Sequence, residues 1–174
     1  MATNASVNPR GSTLNRESGI AGFLLRSYAL VSEKFSLLQS PFLLAVRLYW
    51  GWQFAQNGWG KLHNIARVTG FFVSLNIPFP AASAYFVSGL ELIGGLLLII
   101  GLASRFTSLL LAIDMLVAYW TADRAALASI FSDPGKFYGA DPYTFLFMAL
   151  MVLIFGAGLF SLDALIEKRL KERV

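Results

Sequence analysis

The chain has 174 residues, of which 56% are hydrophobic and 14% charged, with a mean hydropathy of +0.62. That balance exceeds what a water-soluble domain of this length can bury, and it indicates a single membrane-embedded unit. The formal charge of +4 comes from basic residues that flank apolar stretches, where anionic lipid headgroups would meet them, so it indicates a bilayer and not nucleic acid. Cysteine is absent and His63 is the sole histidine, which excludes disulfides, thiol redox chemistry, thiolate clusters and bis-histidine haem within this polypeptide. No metal site is expected.

Residues 1–19 are polar and rich in small side chains, without the apolar core of a secretory leader, and read as a flexible, uncleaved tail. From 20 to 40, Ile20, Leu24, Val31, Phe35 and Leu38 share one helical face while Arg26, Glu33 and Lys34 lie off it. This pattern predicts an amphipathic helix lying on the membrane surface; the alternative is a first turn of the bundle packed against other helices.

A four-helix transmembrane domain is expected over residues 41–163. Its first span opens at Pro41, a favoured first-turn residue, and runs to about Leu62, roughly the 20 residues a bilayer needs. The second covers Ala81 to Ala103 and the third Phe106 to Thr121, joined by a tight turn from Gly101 to Arg105. The Asp133-Pro134-Gly135 run in IFSDPGKFYGADP carries turn chemistry. The fourth span starts after Asp141-Pro142 and reaches about Phe160, followed by a charged tail, 164–174. Glycines 89, 94 and 95, and 156 and 158, would let helix backbones approach closely. The N-terminal segment, the Arg105 turn and the C-terminal tail hold nine Lys or Arg against four in the opposite loops, which places both termini in the cytoplasm.

Three charges interrupt the spans: Arg47, Glu91 and Asp114. A charged group at mid-bilayer costs at least about 2.5–3.5 kcal/mol, so all three should face inward toward partners. At 100° per residue, Arg47, Trp50, Phe54, Asn57 and Lys61 fall in one stripe of the first span. One arginine cannot neutralise two acids; if Arg47 pairs with Glu91, Asp114 needs Lys61, a water or a proton. The residues Arg47, Glu91, Asp114, Trp50, Asn57 and Lys61 are therefore candidates for binding a polar headgroup or handling protons in a small cavity. The competing interpretation is a buried ion pair that sets helix register. A lysine at a helix C-terminus, such as Lys61, is also favoured by the helix dipole alone.

Several local signatures together resemble the DoxX family of bacterial four-helix membrane proteins. They are Arg47 in the first span, Gly58 with Lys61-Leu62 at its end, the FFVSLNIPFP stretch, which resembles the family's connecting loop with its proline, and GLELIGGLLLIIGLASR with Glu91, Gly94, Gly95, Gly101 and Arg105. MLVAYW and GAGLFSLDAL, with Ser161 and Asp163, extend the resemblance over residues 42–166. Asp114 departs from the family pattern, which is usually apolar there. The resemblance implies a multi-pass protein of the bacterial inner membrane. It also implies a link to thiosulfate:quinone oxidoreductases, whose small subunit type is the named member, or to oxidative-stress and thiol homeostasis through partner proteins.

Two functions of different kinds are consistent with these residues. Aromatic side chains beside a buried cation and acid suit a quinone headgroup, with the chain as an accessory or quinone-interacting subunit of a membrane redox assembly. It holds no covalent cofactor and is not competent for redox chemistry alone. The alternative is a non-catalytic scaffold that recruits partner proteins to the membrane. A small-solute transporter is less favoured, because four helices enclose little volume and no pair of broken helices is evident.

Overall fold

A computed structural model describes residues 10–173, and every regular element among them is an α-helix. The chain divides into two compact units, Met1–Gln39 and Ser40–Val174. Helix α1, Arg10–His63, starts within the first unit and ends in the second. It begins inside the stretch expected to be a flexible tail, of which residues 1–9 lie outside the described residues. Pro41 does not open a helix as expected but lies inside α1, where it removes one backbone donor from the helical ladder. Of the expected surface-lying face, the side chains of Ile20, Leu24, Val31 and Phe35 also fall outside the described residues, while Leu38 is exposed.

In the second unit, α1 is followed by α2 (Ile65–Ser74), α3 (Pro80–Ile100), α4 (Ser104–Thr121), the short α5 (Arg124–Ala128) and α6 (Pro134–Tyr138), α7 (Pro142–Phe155) and α8 (Leu162–Lys171). Four boundaries differ from expectation for local reasons. Helix α2 takes in Phe71 to Ser74 of the FFVSLNIPFP stretch, because Ile65, Val68 and Phe72 recur at helical spacing, and only residues 75–79 connect to α3. Helix α3 stops at Ile100, not Ala103: Gly101 takes a φ of 71°, and the amides of Gly101 and Leu102 turn back to the Leu98 and Leu97 carbonyls at 3.2 and 3.0 Å, a Schellman closure. Helix α7 ends at Phe155, not Phe160, since Gly156 and Gly158 adopt φ values of 77° and 75°. These two glycines therefore end a helix and do not pack inside one. The charged tail folds as α8, with the Ser161 hydroxyl accepting from the Ala164 amide at 3.2 Å.

Close packing of α1 on α3 depends on glycine. A Cβ at Gly58 would strike the Leu92 backbone, and one at Gly95 would come 2.5 Å from the Gly51 carbonyl and the Ala55 amide. Gly89 faces open space and has no such role. Phe54, Leu98, Leu111, Met148 and Val152 form a fully buried core among α1, α3, α4 and α7. Tyr119, also fully buried, donates to the Phe137 carbonyl at 2.7 Å and anchors the α5–α6 excursion.

Among the described residues one helix, Pro80–Ile100, is both long and apolar enough to cross a membrane; Pro142–Phe155 is apolar but has 14 residues. The outward faces of α3, α4 and α7 nonetheless expose Phe86, Ile93, Phe106, Leu116, Phe147 and Ile154. An apolar surface of that extent requires lipid or protein cover.

Candidate functional site

The inward-facing charges separate to opposite ends of the α1–α3 pair. Arg47 is fully buried at the end where α3 turns into α4. Its Nη2 donates to the Phe160 carbonyl at 2.5 Å, and Nη1 stands 3.5 Å from the Leu98 carbonyl. A Cβ on Gly101 would collide with this guanidinium, so the glycine that ends α3 also makes room for it. Nearby, the Asp163 carboxylate accepts from the Ala103 and Ser104 amides at 2.7 and 2.8 Å, and its own amide donates to Gly101 at 2.9 Å. Asp163 thus caps the N-terminus of α4 from 59 residues away, where a negative charge is favoured by the exposed amides. Arg47 and Asp163 together clamp the 156–163 segment against the α3–α4 turn.

At the other end, Lys61 in the last turn of α1 donates from Nζ to Glu91 Oε1 at 2.6 Å. Arg47 does not pair with Glu91; Lys61 does. The glycine contacts set an antiparallel register in which Gly58 lies against Ser88 and Leu92, and Gly51 against Gly95 and Ile99. Position 61 therefore meets the Ser88–Glu91 turn, whereas position 47 meets the end of α3.

Lys61, Glu91 and Asp114 line one cavity of about 660 Å³. Its walls are otherwise mostly apolar: Phe71 and Phe72 from α2, Phe86 and Leu90 from α3, Leu110 and Val117 from α4. Glu91 is 2% exposed and Asp114 9%, and Glu91 Oε2 and Asp114 Oδ2 are buried without a hydrogen-bond partner among the described residues. A mostly apolar chamber with a few converging polar groups is the usual architecture of a small-molecule site. Among the described residues no cluster of three or more acidic, histidine or cysteine side chains could hold a metal ion.

The remaining candidates lie outside this lining. Trp50 is half-buried and packs edge-on against Phe145 with ring centroids 5.2 Å apart. Asn57, at the edge of the α1 stripe, is exposed. Arg47 belongs to the clamp at the far end. Sequence reasoning missed the aromatic wall supplied by α2, together with Arg67 on the same helix. The helical spacing of Ile65, Val68 and Phe72 was the available signal, obscured by the prolines at 78 and 80.

No curated protein and no solved structure matches the chain. The family model described as DoxX matches residues 42–124, which include Arg47, Lys61, Glu91 and Asp114, while the resemblance noted for residues 125–166 falls outside that match. The glycine-packed α1–α3 pair and the charged groups it carries lie inside this matched segment, so the chain is similar to the DoxX family over residues 42–124.

Proposed function

We propose that the protein is a multi-pass component of the bacterial inner membrane that binds a quinone in the cavity between α2, α3 and α4, as an accessory subunit of a membrane redox assembly. The observation that carries this reading is the Lys61–Glu91 pair beside Asp114 at the wall of an otherwise apolar chamber. Such a chamber suits a ligand with a polar, proton-handling head and an apolar body, and a quinone has that chemistry.

Four passes are assigned to α1 from Pro41 onward, α3, α4 and α7, with both termini cytoplasmic. At 1.5 Å per residue α3 spans roughly 32 Å, close to the hydrocarbon thickness of about 30 Å. Helix α7 is shorter at roughly 21 Å. The apolar outer faces of α3, α4 and α7 support this embedding.

Photolysis of a short-tailed azidoquinone with the purified full-length protein tests the site. Labelling should concentrate in peptides from α2 and α4 and disappear with excess unlabelled quinone. Labelling spread over all lipid-facing surfaces and indifferent to competitor would refute quinone binding at this site and favour the scaffold reading.

A further inference from the structure

The polar groups of the cavity are unbalanced between donors and acceptors. Glu91 Oε1 accepts from Lys61, but Glu91 Oε2 and Asp114 Oδ2 are buried and accept nothing. The neutral hydroxyls of the lining cannot supply the missing donors: Ser83 donates to the Pro78 carbonyl and Thr121 to the Val117 carbonyl, each at 2.8 Å. Arg67 also lines the cavity but is an exposed residue of α2. With both acids ionised, their bare oxygens in an apolar wall call for donors from whatever occupies the chamber, since a buried acceptor left bare is costly.

The oxidised head of a quinone offers only oxygen acceptors. It can take a hydrogen bond from Lys61, yet it leaves both carboxylate oxygens bare and sets its own carbonyl lone pairs against them. The reduced head carries two hydroxyl groups, each able to donate one hydrogen bond.

From this we infer that the cavity selects the quinol over the quinone of the same tail, with Glu91 and Asp114 accepting its O–H groups. The inference rests on the quinone reading above and adds the oxidation state that the site holds. Glu91 and Asp114 are then the residues that determine specificity, and Lys61 positions the Glu91 carboxylate.

The test uses full-length protein in lipid nanodiscs, titrated anaerobically with a decyl-tailed quinone and with its two-electron-reduced quinol, each as competitor of the azidoquinone label. Quinol should compete at least tenfold more tightly. Equivalently, the midpoint potential of the bound couple should rise by about 30 mV for each tenfold preference. In Glu91→Gln and Asp114→Asn, where an amide N–H replaces an acceptor, the ratio should fall toward parity.

Equal binding, or tighter binding of quinone, at a labelled cavity overturns the selectivity and leaves the quinone reading standing. Competition by neither form overturns both. A preference that survives both substitutions overturns the assignment to these two carboxylates. The wild-type ratio decides the selectivity even if neither variant folds.

Discussion

Replacing Lys61 with methionine removes the one donor, among the described residues, to a carboxylate that is 2% exposed. Glu91 Oε2 already has no partner, so the substitution leaves the whole carboxylate without a donor. Breaking a buried ion pair from one side costs about 3–5 kcal/mol. Lys61 is 35% exposed and borders a cavity, which places the expected loss at the low end, about 3 kcal/mol. Glu91→Gln alone should cost about 1 kcal/mol, because the amide still accepts from Lys61. Since glutamine no longer brings an unpaired charge into the interior, the double variant should be more stable than Lys61→Met alone, with a coupling above about 1 kcal/mol. Denaturant unfolding in detergent micelles, followed by tryptophan fluorescence, measures all three differences. A loss below about 1 kcal/mol for Lys61→Met, with additive behaviour in the double variant, would refute the pair as a buried structural contact.

Asp163→Ala removes the cap from α4 and should destabilise the protein by about 1–2 kcal/mol. Amide exchange at Ala103 and Ser104 should accelerate, and normal protection there would refute the capping role. Gly95→Leu drives a side chain into the Gly51 and Ala55 backbone, which are 2.5 Å from the nearest Cβ position. Overpacking of this kind should cost about 1–3 kcal/mol or more, whereas Gly89→Leu, directed into open space, should fold as well as the parent in the same micelle assay.

Much of the helical architecture was legible along the chain because helix signals are local. Apolar length marked α3, Thr121 ended α4 as expected, and the Asp141-Pro142 pair marked the start of α7. Positive backbone angles at Gly101 and Gly156 are equally local in cause, but composition does not distinguish a glycine that ends a helix from one that packs inside it. Gly95 and Gly156 are the same residue type with opposite uses. The missed α2 shows the same limit, since turn-forming residues after it outweighed its own periodicity.

The sequence by itself determined that Arg47, Glu91 and Asp114 could not face lipid, because the cost of a charge in hydrocarbon depends on the side chain and its depth. Only the tertiary structure decided which charges meet. The contact between Gly58 and Leu92, and that between Gly51 and Gly95, set the register of α1 on α3 and brought Lys61 to Glu91. The same register sent Arg47 to the Phe160 carbonyl at the far end, away from Glu91. The periodicity of one helix identifies its inner face, but pairing depends on how far that helix slides along its neighbour, and that distance is set by backbone contacts between residues far apart in the chain.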